Sequence, residues 1–372
     1  MGKFKVKHFI IFAVIIIAII IIAIFLYFKF YGKNIFEAKL SEILGRPIRF
    51  AKFTLDLEKY TVRFEDFRVP NRRGFKGKDL FNAAKVIVIL DKERFNKDKE
   101  IAFDHITIER GTLHAERNRG GAINLAGVRC GSGMTSAAAA DVMAYAQEPP
   151  TAPLYTFAKS VKALTIKDSS IELKDYGIFG VPFGITFDSF NADVRRGEGE
   201  RAGFIPIECT ASFTIPSGQY RDGQVILKTH IDTYQYIADI AMALKTQNID
   251  LMQFYPYLEE YTPFSVRQGV FSSETTFDLE NNMIDSLTTM VFHGLRLGID
   301  PGKENAEFLR TSVTKLAPYL TSRSGGLVFD FTIRGPRDNP QMGVGPQVRK
   351  AVGMAAMQEF GNVLQGLQGL QE

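Results

Sequence analysis

Tryptophan is absent from this 372-residue chain, and cysteine and histidine are scarce, at two and five residues. Each shortage removes a class of chemistry. The aromatic residues are mostly Phe at apolar positions, so base stacking on a basic surface is unsupported and nucleic acid is not an expected partner. His8, His105, His114, His230 and His293 show no His-Glu-x-x-His or similar spacing. His105 and His114 read as ordinary residues of adjacent strands, with no cysteine nearby, and no metal site is expected. Cys130 and Cys209 lie far apart and read as two free or buried thiols, a disulfide between them being the alternative. There is no P-loop and no Gly-x-Ser-x-Gly elbow. Cys130-Gly-Ser-Gly133 has the form of a nucleophile loop but no recognisable base, so a flexible turn is the simpler reading. Adjacent acids such as Glu65-Asp66 and Glu259-Glu260 read as solvated faces rather than acid–base pairs. Neither an enzyme nor a cofactor is expected.

What the chain does have is one long apolar run. Phe9 to Phe28 contains 20 residues without charge, Gly or Pro. At ~1.5 Å per residue it spans ~30 Å, the thickness of a bilayer core. A signal peptide would be shorter and would end at a small-residue cleavage site, whereas the exit here reads Phe28-Lys-Phe-Tyr31. The expectation is an uncleaved single-pass helix. Residues 1–8 then form a cytoplasmic stub with Lys3, Lys5 and Lys7, and the body is translocated.

Charge is unevenly placed. Residues 29–120 carry 21 Lys/Arg against 14 Asp/Glu, and residues 121–372 carry 21 against 27. The basic part lies beside the anchor, where anionic headgroups would attract it; a plain solvated basic face is the competing reading.

After the anchor, Ile35, Phe36, Leu40, Ile43 and Leu44 recur at helical spacing up to Gly45, a C-cap candidate. The period then becomes two. Phe53-x-Leu55-x-Leu57, Tyr60-x-Val62-x-Phe64, Phe67-x-Val69, Ile106-x-Ile108 and Leu113-x-Ala115 alternate, and Val86 to Leu90 is a continuous apolar strand. Residues 32–125 thus read as a first β unit. Residues 126–153 have Gly, Ala and Pro composition and read as a surface linker. Residues 154–340 read as a second β unit, with strand pairs such as Leu164-x-Ile166, Ile171-x-Leu173, Ile185-x-Phe187 and Phe190-x-Ala192-x-Val194. Helices are expected over Leu251 to Tyr261 and Glu304 to Leu320. Residues 341–372 read as an amphipathic helical tail that closes the β structure or touches a membrane or partner.

The fold class is mainly β, antiparallel or meandering, with roughly 16–20 strands and a few short helices. Most strands have one apolar and one polar face. The apolar faces need cover. A second sheet in a sandwich or barrel would supply it; so would acyl chains lying against a long curved sheet. Periodicity does not choose between these.

Several stretches taken in order resemble a known family. They are Gly45-Arg-Pro-Ile-Arg49, Asp66-Phe-Arg-Val-Pro-Asn-Arg-Arg-Gly-Phe75, Ala84-Lys-Val-Ile-Val-Ile-Leu-Asp91, Phe103-Asp-His-Ile-Thr-Ile-Glu109 and Ala115-Glu-Arg-Asn-Arg-Gly-Gly-Ala-Ile-Asn-Leu125. Past the linker, Val161 to Asp175, Phe254-Tyr-Pro-Tyr-Leu258, Val266-Arg-Gln-Gly-Val270 and Gly325 to Gly335 continue the series. The order is similar to that of the AsmA-like family of bacterial envelope proteins. Short length and the Gly/Ala/Cys-containing linker depart from its pattern.

The resemblance implies an elongated half-pipe, or β-taco, with an apolar groove. It implies an anchor in the inner membrane of a Gram-negative cell and a periplasmic body. It also implies bridge-like phospholipid transfer or outer-membrane lipid homeostasis. Phospholipid and the inner membrane are then the partners, with other envelope proteins reached through the C-terminal helix. An envelope scaffold or assembly factor for outer-membrane proteins is the alternative. The candidates for the groove lining are Tyr60, Val62, Phe64, Val86, Val88, Ile106, Ile108, Leu164, Ile166, Ile171, Leu173, Phe187, Phe213 and Phe277.

Overall fold

The structure is a computed structural model. It describes residues 33–346 apart from 39, 43–44, 99–100, 126–151, 178–181, 198–202, 235–236, 300–305, 309–310, 313, 315–316 and 318–326. The stub 1–8, the apolar segment 9–28, most of the linker, Cys130 and residues 347–372 lie outside these. Among the described residues no helix is long and apolar enough to cross a membrane.

The protein is mainly β, and its strands form one open sheet rather than a closed barrel. The first half contains β1 (Lys52–Asp56), β2 (Thr61–Pro70), β3 (Asp79–Leu90), β4 (Phe103–Arg117), β5 (Val161–Asp175) and β6 (Phe183–Arg196). The second contains β7 (Ile205–Ile215), β8 (Gly223–Tyr234), β9 (Ile237–Asp250), β10 (Ser265–Glu280) and β11 (Met283–Gly298). A separate ladder of β12 (Glu307–Phe308) and β13 (Thr311–Ser312) follows, and β14 (Leu327–Pro336) and β15 (Gln341–Val344) complete the 13-stranded sheet in sequence order. Twelve steps of ~4.8 Å between neighbours give a sheet ~58 Å long.

The described strands are longer than the sequence suggests. Ile106-x-Ile108 and Leu113-x-Ala115 belong to the single strand β4, and Leu164-x-Ile166 and Ile171-x-Leu173 to β5. His105 and His114 therefore share β4 rather than occupying adjacent strands. The alternation changes phase inside these strands because Arg110 and Asp168 take a left-handed backbone, with φ of 51° and 48°. The two phase changes face each other. Glu109 pairs with Lys167 before them and Thr112 with Ser170 after them. Asp66 in β2 and Ser189 in β6 also have positive φ. Such irregularities bend strands. Here they also keep the apolar residues on one face past the break.

Every neighbouring pair is antiparallel except β4 and β5, which run parallel. A parallel neighbour requires a crossover of a dozen or more residues. Residues 118–160 supply it, ending in the helix Ala152–Ser160, which the linker reading did not anticipate. The helix Lys92–Asp98 between β3 and β4 was also not expected from periodicity; Asp91 Oδ1 accepts hydrogen bonds from the backbone N–H of Glu93 (3.1 Å) and Arg94 (3.2 Å) at its start. Residues 33–38 and 40–42 are helical, and Gly45, the expected cap, has a φ of 65° that suits a glycine. Leu251–Tyr261 is helical, as a 3₁₀ turn followed by an α-helix.

Two expected helices begin instead as strands. Over Glu304 to Leu320 the described backbone opens with the short ladder of β12 and β13, where cross-strand bonding outweighs local helical spacing, and beyond it Thr314 and Ala317 are helical. The tail expected to be helical from Gln341 begins as β15, where Met342 faces Ile333 and Val344 faces Phe331.

Candidate functional site

Residues directly opposite each other on neighbouring strands share a face of the sheet. The registers therefore trace one row of side chains across all 13 strands. It runs Leu55, Val62, Val88, Ile106, Leu164, Val194, Cys209, Thr229, Met242, Phe277, Ser286, Ile333 and Met342. A second row lies two residues along. It runs Phe53, Phe64, Val86, Ile108, Ile166, Ala192, Ala211, Leu227, Leu244, Thr275, Thr288, Phe331 and Val344. From β1 to β7 both rows are wholly apolar.

The opposite face is polar and cross-linked. Lys85 Nζ reaches Glu109 Oε2 at 3.0 Å, Lys245 reaches Glu274 at 2.6 Å and Arg334 reaches Asp285 at 2.9 Å. Asn82, His114 and Glu172 form a hydrogen-bonded line across β3, β4 and β5, with contacts of 3.0 and 3.1 Å. His105 bonds Thr165 at 3.0 Å. Among the described residues no group of His, Cys, Asp and Glu could hold a metal ion.

Among the described residues no second sheet covers the length of the apolar face. Ile106, Ile108, Leu164, Ile166, Leu227 and Leu244 are half-buried rather than buried, whereas a residue beneath a second layer would be closed off. Full burial occurs where short elements fold onto the face. At the β1 end, Ile48 and Phe50 cover Phe64, with ring centroids of Phe50 and Phe64 5.0 Å apart. At the far end Phe264 and Ala317 pack on Phe329.

Two helices mark the rims of this face. At the rim where β5 begins, the helix Ala152–Ser160 ends on two arginines. Arg94 Nη1 donates to Lys159 O at 2.7 Å, and Arg196 donates to Ala158 O and Lys159 O at 2.6 and 2.8 Å. Cations suit the exposed carbonyls and negative dipole of a helix C-terminus. Burial lowers the Arg196 pKa, helped by the nearby Arg94 charge. Beside them Asp91 pairs with Lys162 at 3.0 Å. That hydrogen bond, the largest influence, holds the Asp91 carboxyl below its ordinary value and raises Lys162.

At the opposite rim, Phe254 and Tyr257 pack on Phe183, Ile215 and Ile249. Asp175 is buried there. Burial pushes its pKa up, but hydrogen bonds from Tyr257 and the Gly177 N–H and the Arg117 charge outweigh it, and the net shift is downward. Near this rim Asn124, fully buried, ties the end of β4 to the segment after the first helix. Its Nδ2 donates to His114 O (2.7 Å), its Oδ1 accepts from Glu116 N (2.8 Å), and its carbonyl accepts from Arg46 Nη2 (2.7 Å).

Of the groove candidates, Val62, Phe64, Val86, Val88, Ile106, Ile108, Leu164, Ile166 and Phe277 lie in the two rows. Ile171 faces Phe187 and Leu113, Leu173 faces Ile185, and Phe213 faces Val225 further along the same face. Phe187 and Phe213 meet at 5.3 Å. Tyr60 is the exception. Its φ of 50° puts it in the turn before β2, outside the strand alternation, and its ring packs against Phe95 at 6.3 Å. Val194, Ala211, Leu227, Leu244 and Phe331 belong to the face but were not among the candidates. Their strands alternate visibly in the sequence; the register that joins them does not.

No family model matches this chain, and no curated protein or solved structure matches it.

Proposed function

We propose that this chain is a membrane-anchored lipid-handling protein of the AsmA-like kind, whose apolar sheet face shelters the acyl chains of phospholipid. The supporting observation is the pair of cross-strand rows, apolar from β1 to β7 and carried on a half-buried face of an open sheet. An uncovered face of this size would be costly in water. Each lipid CH₂ sheltered against it is worth about 0.8 kcal/mol. The transfer is passive and non-catalytic. The apolar segment 9–28 anchors the chain in the inner membrane, with the sheet in the periplasm and β1 nearest the bilayer. The basic region 29–120 lies against anionic headgroups.

The test uses the full chain in detergent with a diacyl phospholipid carrying a photoreactive group on one tail. Cross-links are expected on β3, β5 and β7, at peptides containing Val86, Leu164 and Phe213. Phe64→Asp and Phe187→Asp are expected to abolish them and to fail in complementing an envelope-lipid defect. Cross-links confined to residues 9–28, or complementation by the folded charged variants, would overturn the reading in favour of an envelope scaffold.

A further inference from the structure

Besides Thr229 and Ser286 in the first row, the apolar face carries one cluster of paired hydroxyls. On β9, β10 and β11 it carries Thr246, Ser273, Thr275 and Thr288 where aliphatic residues stand elsewhere. These form two hydroxyl pairs. Thr246 Oγ1 lies 2.9 Å from Ser273 Oγ, and Thr275 Oγ1 lies 3.1 Å from Thr288 Oγ1. Ser273 and Thr275 are two residues apart on β10, so the pairs are separated by about 7 Å. Apolar side chains flank the band, with Met242 and Leu244 on β9, Met290 on β11, and Phe329 and Phe331 on β14. The nearby charges Lys245, Glu274 and Asp285 lie on the other face, where they form ion pairs.

Donor counting gives the band its chemistry. Each pair holds two hydroxyl protons, and the bond within the pair uses one. The Ser273 N–H occupies an acceptor position on Thr246 Oγ1 rather than a proton. One O–H per pair is left for an acceptor above the sheet. An acyl chain offers none, and a methylene laid over the band would leave those donors dry and unpaired, which is costly. A phosphate would call for cations, which this part of the face lacks. The fitting group is an uncharged acceptor continuous with apolar chains.

We infer that the hydroxyl band of β9–β11 is a binding site for the ester carbonyls of a two-chain lipid, fixing where along the groove its polar end sits. The inference rests on the apolar-groove reading. Diester lipids place two carbonyls at the head of two chains, matching two spare donors amid Leu, Met and Phe. Dialkyl ether lipids of the same headgroup have the chains without the carbonyls.

The experiment loads the full chain, in detergent, with an equimolar mixture of a diacyl phospholipid and its diether analogue, and weighs the retained lipid by mass spectrometry. The expected result is about tenfold enrichment of the diester, the weight of two modest hydrogen bonds. Thr275→Val with Thr288→Val keeps shape and strand propensity. It removes one of the two spare donors and is expected to retain as much total lipid with the enrichment cut to about threefold, with circular dichroism and thermal unfolding checking the fold. Equal retention of both lipids by the native chain, or an enrichment that stays undiminished in the folded double variant, overturns the inference and leaves the groove standing. Retention of neither lipid overturns the groove reading, and this inference with it.

Discussion

The Tyr257 hydroxyl donates to Asp175 Oδ2 at 2.8 Å, joining the helix after β9 to the end of β5 across four strands of the sheet. The bond holds a helix down on the rim of an apolar face. The Tyr257 ring contributes separately, edge-on to Phe183 at 4.9 Å. Tyr257→Phe removes the hydroxyl and keeps the ring. The expected cost is about 1–2 kcal/mol, because the remaining hydrogen bonds to Asp175 still satisfy part of a buried carboxylate. Thermal unfolding by circular dichroism should show a drop of a few degrees. Tyr257→Ala should cost clearly more; equal losses would mean that the ring contact carries nothing.

Asn124 is expected to be the most sensitive polar position near that rim. Asn124→Ala strands the His114 carbonyl and the Glu116 N–H in a site closed to water. About 2–3 kcal/mol of destabilisation follows from two buried groups losing their partners. Hydrogen exchange would show the end of β4 and the Gly45 to Phe50 segment opening together. Independent opening would show that Arg46 does not couple them.

Cys209 is a built-in reporter on the apolar face. It is free and half-buried, and burial, with the Asp193 charge, raises its pKa. The reactive thiolate is therefore scarce at neutral pH. In a Cys130→Ser background, maleimide labelling of the folded chain is expected to be slower than for a model thiol. Diacyl phospholipid should slow it at least threefold further. Labelling indifferent to lipid would place lipid elsewhere than on this row.

The Asp91–Lys162 pair sets pH limits with opposite signs. Asp91 has a lowered pKa in the folded chain. Its contribution to stability is whole above the ordinary value of 3.8 and fades as pH falls through the lower folded value. Lys162 has a raised pKa. Its contribution is whole below 10.5 and fades as pH rises through the higher folded value. This pair should therefore add no slope between about pH 5 and 9. Asp91→Asn should flatten both limbs of the stability profile; a new slope near neutrality would assign titration there to another group.

Much of the sheet was legible in residue order alone. Alternation in stretches such as Val62 to Phe64 and Ile207 to Ile215 identifies strands with one apolar face, because side chains on extended backbone point alternately to either side. The helix over Leu251 to Tyr261 and the cap at Gly45 were equally readable, since caps and helical spacing are local signals. The hydroxyls of the β9–β11 band are visible in the sequence, but not as a band.

Only the tertiary structure joined these pieces. Arg110 carries no local mark of left-handed backbone and Asp168 only a weak one, yet their phase changes merge what look like separate short strands into β4 and β5. Cross-strand bonding outweighs local preference at such positions. The parallel pairing of those two strands depends on where a crossover returns the chain, which periodicity does not encode. Tyr60 reads as a row member and sits in a turn. Above all, alternation establishes that each strand has an apolar side. Whether thirteen such sides align into one face depends on register, a property of pairs of strands rather than of any one.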